Sequence, residues 1–171
     1  MSRTLVHARR WQRCGLSLAE SVMALLIIAI MLTAALQTVG AYGAAQLRAM
    51  TSSRGQHLAQ SMLSEILVKK YRDPDGSNVF GPETGERSGA SRSGFDDVDD
   101  YADFSASPPT YQDGSVIPDS EGWRITVSVS WVSPSDPETV VPDDQGVKRI
   151  EVQAFCRDKP AAKLAALRAD Y

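Results

Sequence analysis

The spacing of apolar residues changes character three times along the chain. Between Ser21 and Leu47 there is no charged residue, and Val22 to Leu36 is apolar apart from Thr33. About 20 apolar residues suffice to cross a bilayer, so this stretch predicts a membrane-spanning helix. Beyond Leu47 the apolar residues thin to helical spacing, with Met50, Leu58, Met62 and Ile66 in one series and Leu63 and Leu67 beside it. That period predicts an amphipathic continuation of the helix to about Lys70. Gly40, Gly43 and Gly55 are weak points within it, each costing about 1 kcal/mol relative to Ala.

From Arg72 to Glu121 the period is lost. The segment holds five of the nine prolines, six glycines, and twelve acids against three bases. With few aliphatic residues it predicts loop and short irregular pieces, opened by the turn signal Asp73-Pro74-Asp75-Gly76. Gly122 to Val132 then alternates strictly: Trp123, Ile125, Val127, Val129 and Trp131 share one face, and Arg124, Thr126, Ser128 and Ser130 the other. Val147 to Cys156 repeats the pattern with Ile150, Val152, Ala154 and Cys156, although Phe155 falls on the polar side. Both read as half-buried strands. Ser133 to Gly146, rich in Pro and Asp, reads as the hairpin loop between them, and Ala161 to Tyr171 as a short surface helix or a frayed tail. The fold class is therefore α+β, a long N-terminal helix whose amphipathic half packs on a small antiparallel sheet. About a hundred residues lie beyond the long first helix, enough for one small head domain and not two.

Charge adds two points. Arg3, Arg9, Arg10 and Arg13 precede the apolar segment with no acid among them, and setting them aside takes the net charge from −3 to −7. An acidic remainder argues against nucleic acid as a partner. Basic residues ahead of the span place its N-terminus in the cytoplasm. The second point is Glu20, a carboxylate at the mouth of the uncharged segment. A charge at the centre of a membrane helix costs roughly 2.5–3.5 kcal/mol on insertion scales, so it calls for a partner. A basic region followed by an apolar run also describes a secretory signal peptide or a simple anchor. The small residues Gly40, Ala41, Gly43, Ala44 and Ala45 offer a signal-peptidase site for that alternative. Glu20 weighs against it, since a signal peptide has no use for an acid there.

The run Arg13-Cys14-Gly15-Leu16-Ser17-Leu18-Ala19-Glu20 resembles the processing signal of type IV prepilins and type II secretion pseudopilins. The resemblance implies cleavage after Gly15 by a prepilin peptidase, methylation of the new amine at Leu16, and a guiding role for Glu20 as subunits enter a helical filament. Glu20 lies about one helical turn from that amine, its own or a neighbour's. Two positions depart from the usual pattern, Leu16 in place of Phe and Ala19 before the acid. The same resemblance implies other pilin-like subunits and inner-membrane lipid as partners, an assembly platform and a separate ATPase acting indirectly, and a periplasmic head. The chain has no Pro before Pro74, whereas many major pilins carry one in the membrane segment, which points to a minor pilin or pseudopilin. Gly81-Pro82-Glu83-Thr84-Gly85-Glu86-Arg87 and the later run Phe95-Asp96-Asp97-Val98-Asp99-Asp100-Tyr101 are similar to the D-type minor pilins of the mannose-sensitive haemagglutinin pilus system. The implied organisation is a leader at 1–15, a membrane or filament-core helix at 16–47, an amphipathic half at 48–70, an acidic loop region at 71–121, a β-hairpin at 122–157 and a tail at 158–171.

No catalytic constellation is visible, and the chain reads as a non-enzyme needing no cofactor. His7 lies in the leader and His57 on the helix, without the Cys, His or Asp spacing of a zinc site or a triad. His57 reads as a surface or groove residue. No glycine-rich phosphate loop follows a strand. Asp96, Asp97, Asp99 and Asp100 supply hard oxygen donors of the kind Ca²⁺ prefers. They do not fit an EF-hand, and a solvated acidic loop or turn-capping aspartates describes them more simply. Cys14 lies in the leader, which leaves Cys156 alone, with the parity of a small buried hydrophobe. Trp123 and Trp131 are both core candidates, Trp123 the more exposed because it opens its strand. Two functions follow: a structural filament subunit, or a membrane-anchored binding module whose acidic head holds Ca²⁺ or a basic partner. A secreted enzyme would need an active site that the residues do not offer.

Overall fold

The computed structural model describes residues 17–76, 79–86 and 91–170. They form one helix, α1 (Leu18–Leu67), a single 3-10 turn (Asp99–Tyr101), and five strands: β1 (Ser105–Ala106), β2 (Trp123–Ser133), β3 (Asp136–Val140), β4 (Val147–Cys156) and β5 (Lys159–Ala169). The chain is α+β and divides into two units, Met1–Gln46 and Leu47–Tyr171, with α1 contributing to both.

In the first unit the described chain is helix alone. Its large apolar side chains, among them Val22, Leu26, Ile30 and Leu36, are more than half exposed, and Val39 and Tyr42 reach about 70%. Hydroxyls inside this stretch close on the helix itself: Thr33 Oγ1 donates to the Ala29 carbonyl at 3.0 Å and Thr38 Oγ1 to Ala34 at 2.8 Å. Such back-bonding lets a hydroxyl sit in apolar surroundings without another partner. By length and composition α1 is a helix able to cross a membrane.

The second unit is the head. Its sheet is antiparallel in the order β1-β2-β4-β5, with β3 folded back on the end of β2. The inner stripe of α1, Leu58, Ala59, Met62, Leu63 and Ile66, meets Ile125, Val127, Val129, Ile150, Val152 and Ala154 from the sheet in one core. Fully burying such a side chain contributes about 1.5–3 kcal/mol, so this stripe is the main tie between helix and sheet. Strict alternation along β4 follows the predicted parity, with Ile150, Val152 and Ala154 buried. Phe155 on the opposite face carries the Arg124 guanidinium 4.2 Å from its ring centroid, directly across the β2–β4 pair.

Several expectations need correction. The tail is a strand: β5 pairs with β4 along its whole length, joined to it by Arg157 and Asp158, both at positive φ (50° and 61°). Two such residues make the tight turn whose twist suits a two-residue hairpin, and the ladder overrides the helix propensity of the Ala-rich tail. Alternation survives weakly in Ala162, Leu164 and Ala166, which pack on the core. The expected hairpin loop likewise contains β3, paired with β2 at Val132↔Val140 and Ser133↔Asp136 across a register shift. Trp123 is buried, whereas Trp131, opposite the inward Lys148 near the strand end, is only half-buried and lies edge-on to Phe80 with centroids 4.7 Å apart. Segment 71–121 is mostly irregular as expected, yet it is not peripheral. Phe95, Val98, Tyr101 and Phe104 enter the core, so aromatics do what the missing aliphatics do not. Finally, α1 ends at Leu67 rather than Lys70, and the Lys70 backbone instead pairs with the segment around Asp97, its N–H donating to Asp96 O and its carbonyl accepting from the Val98 N–H. Gly55 is not a weak point but a close approach: a Cβ there would lie 2.9 Å from Ala161 Cβ.

Candidate functional site

Two places carry charge in settings that demand an account. The first is the start of α1. Gly15 and Leu16 lie outside the described residues; Glu20 is described, in the first turn of α1 and exposed. Ser17 caps the helix, its Oγ accepting from the Glu20 N–H at 3.2 Å. Ser17 and Glu20 thus stand in the S-x-x-E spacing of a capping box, a signal present in the sequence and overlooked in its reading. An acid in the first turn also complements the positive end of the helix dipole. Beyond it the helix surface through Leu47 is uncharged. The arrangement is one carboxylate at the positive end of a long, uncovered apolar rod.

The second place is the acidic cluster of the head, which is not solvated. Asp97, Asp99 and Asp100 are buried, and Asp96 is half-buried. Most of their oxygens serve the backbone. Asp97 Oδ1 accepts from the N–H groups of Asp99 (2.9 Å) and Asp100 (3.1 Å), and Asp100 Oδ2 from those of Asp96 (2.8 Å) and Asp97 (3.1 Å). These are turn-capping aspartates, and they fold the segment around its own N–H groups. Asp99 turns the other way and pairs with Lys148 Nζ from β4. The four predicted donors therefore do not converge. Among the described residues the carboxylates whose oxygens cluster within 4.8 Å are Glu83, Glu86 and Asp100.

Crowding of carboxyls in a dry setting moves their protonation. Burial, a hydrogen bond to Asp99 and the neighbouring charges push Asp97 up to about 8. Burial, together with Glu83 and Asp100, pushes Glu86 up to about 7. Both shifts follow from disfavouring a second negative charge where water is scarce. Asp144 goes the other way: burial raises it, but hydrogen bonds from Tyr71 and the Gly146 N–H, with Arg72 alongside, outweigh this and hold it low.

Among the described residues two buried cations complete the head, and neither was singled out from the sequence. Lys148 shares the inward parity of Ile150 and Val152, which was a legible signal. Besides Asp99 it donates to the Tyr71 carbonyl at 2.5 Å, with its Nζ 4.5 Å from the Tyr71 ring centroid. Arg92 is fully buried. It grips Glu65 of α1 with two bonds (2.8 and 3.0 Å), donates to Thr110 Oγ1 and O (3.0 Å each), and lies over the Phe104 ring. Tyr101 Oη donates to the same Glu65 at 2.9 Å. No pattern marks Arg92 in its Ser- and Gly-rich surroundings. His57, as expected, is an exposed groove residue, beside Met50, Arg54, Tyr111 and Pro118. Cys156 is a free thiol, half-buried at the edge of the core.

Set against protein-family models, curated proteins and solved structures, the chain matches none.

Proposed function

We propose that this chain is a structural filament subunit of the type IV pilin and type II secretion pseudopilin kind, in the minor-pilin role and most like the D-type subunit of the mannose-sensitive haemagglutinin pilus. The observation that carries the reading is Glu20: a lone carboxylate in the first turn of an apolar helix whose side chains are exposed among the described residues. Prepilin peptidase cuts after Gly15 and methylates Leu16. The helix then anchors the subunit in the bacterial inner membrane, with the head in the periplasm. On assembly the same surface packs against equivalent helices of neighbours. Lipid tails and a bundle core both accept apolar side chains, so one segment serves both states. Glu20 sets the register. Paired with an α-amine its charge is compensated, and misaligned it stays buried without a partner at a cost of several kcal/mol.

The work is mechanical rather than enzymatic, with energy from a separate ATPase acting through the assembly platform. The pilin-like layout is supported by the helix-on-sheet head and by the irregular segment pinned beside it. A binding module built on the aspartates has less support, because Asp97 and Asp100 are engaged by backbone N–H groups and Asp99 by Lys148. Glu20→Ala separates the two. A filament subunit carrying it reaches the membrane at normal level and is missing from sheared filaments, whereas a simple anchor loses nothing. Equal recovery of variant and wild type in the filament fraction overturns the proposal.

A further inference from the structure

Lys148, Asp99 and Asp97 form a set that an ordinary buried ion pair does not fully use. All three are nearly out of water, at 3%, 6% and 4% exposure. Lys148 Nζ touches the Asp99 carboxylate, and Asp97, two residues back, accepts from the Asp99 backbone N–H at Oδ1 (2.9 Å). One cation and one anion would already balance. The third group is a second carboxyl beside this pair, pushed up to about 8 by burial first and then by Asp99 and Asp100. A desolvated lysine amine is a nucleophile, and an acid within hydrogen-bond reach of the departing oxygen is what acyl substitution needs.

We propose that Lys148 and Asp99 join in an intramolecular isopeptide bond within the folded head, with Asp97 as the acid that assists it. A proton first passes from the Lys148 ammonium to the Asp99 carboxylate, leaving amine and carboxylic acid. The amine lone pair attacks Asp99 Cγ, forming the N–C bond. Asp97 gives its proton to a hydroxyl on Cγ as that C–O bond breaks and water leaves, then regains a proton from the new amide nitrogen. One ammonium and one carboxylate become one secondary amide and one water, with no redox change and no co-reactant. The product fits its surroundings. Its single N–H keeps the Tyr71 carbonyl as acceptor. The released water has an exit in the cavity of about 260 Å³ that the three residues share with Arg72, Trp131 and Asp144. Removing water from the site favours condensation over hydrolysis. The bond ties the 3-10 turn to β4 across 49 residues of chain.

The test is peptide mass spectrometry of the full-length protein, denatured and digested with trypsin, and it requires no variant. The expected product is a branched species joining the peptide with Asp99 to the one with Lys148, lighter by one water than the two together and uncut after Lys148. Asp75-Gly76 and Asp113-Gly114 can also lose water by succinimide formation, so the branched peptide and not the intact mass decides. Separate linear peptides, with cleavage after Lys148, overturn the proposal. Asp97→Asn, which keeps shape but removes the transferable proton, slows appearance of the branched species at least tenfold after refolding. Formation at the wild-type rate would remove Asp97 from the step. The outcome does not depend on how α1 packs, so it stands or falls apart from the filament reading.

Discussion

Arg92→Met removes a buried polar contact set that helps fasten the irregular segment to α1. The wild-type guanidinium makes two charge-assisted bonds to Glu65 and two to Thr110 while wholly buried. Methionine fills a similar volume, so the change is mainly electrostatic. It leaves the Glu65 carboxylate, 18% exposed, with Tyr101 as remaining donor. Breaking a buried pair from one side costs about 3–5 kcal/mol, and the partial exposure of Glu65 puts this case near the lower end, about 3 kcal/mol. With a urea m-value of about 2 kcal/mol/M, the midpoint falls by about 1.5 M. Trp123 and Trp131 lie in the head and report its unfolding by fluorescence, measured on the full chain in detergent micelles. Adding Glu65→Gln removes the stranded charge and keeps an acceptor for Tyr101, and the double variant regains at least half of the loss. A midpoint drop under about 0.5 M for Arg92→Met, or a double variant no better than the single, would refute the reasoning.

The remaining predictions probe other links. Asp97 has a folded pKa of about 8, raised first by burial, which acts whether or not Lys148 and Asp99 are joined. A raised acid holds its proton better folded than unfolded, so its contribution to stability is full below the ordinary carboxylate range and is lost as pH rises through about 8. Urea midpoints therefore fall between pH 5 and 9, and Asp97→Asn flattens that slope; a slope unchanged by the substitution contradicts the assignment. Gly55→Val drives a side chain into Ala161 and lowers stability by about 1–3 kcal/mol. Gly40→Ala and Gly43→Ala meet nothing within 4 Å and leave the head's melting temperature unchanged, so equal thermal shifts at all three sites would sink the packing account. Tyr101→Phe removes the hydroxyl bond to Glu65 and costs about 1.5 kcal/mol, as for a hydrogen bond to a charged acceptor, read from the same urea titrations.

What was legible followed from period. Strict alternation placed β2 and the buried face of β4, and helical spacing placed the stripe from Leu58 to Ile66. What was not legible depended on partners distant in sequence. The Ala-rich tail has no strong alternation of its own, and only the neighbouring β4 makes it a strand. β3 lies hidden in a Pro- and Asp-rich stretch, and its pairing with the end of β2 has no period of its own. The aspartates illustrate the limit for the site. Composition shows four acids together, but whether they face water, a metal or their own backbone depends on a turn that composition does not describe. Lys148 lay on a readable parity; Arg92 had none, since its burial depends on Glu65 and Thr110 arriving from elsewhere.

The proposed filament role depends on Gly15, Leu16 and Glu20 acting as a processing and assembly signal. The most direct measurement is amino-terminal sequencing, with mass analysis of the first peptide, of protein taken from membranes of cells that carry a prepilin peptidase. A mature chain beginning at N-methylated Leu16 is the predicted result and gives Glu20 its amine partner one turn away. A chain beginning near Ala45, or uncut at Met1 in the presence of active peptidase, contradicts the filament-subunit reading and leaves a secreted or simply anchored head.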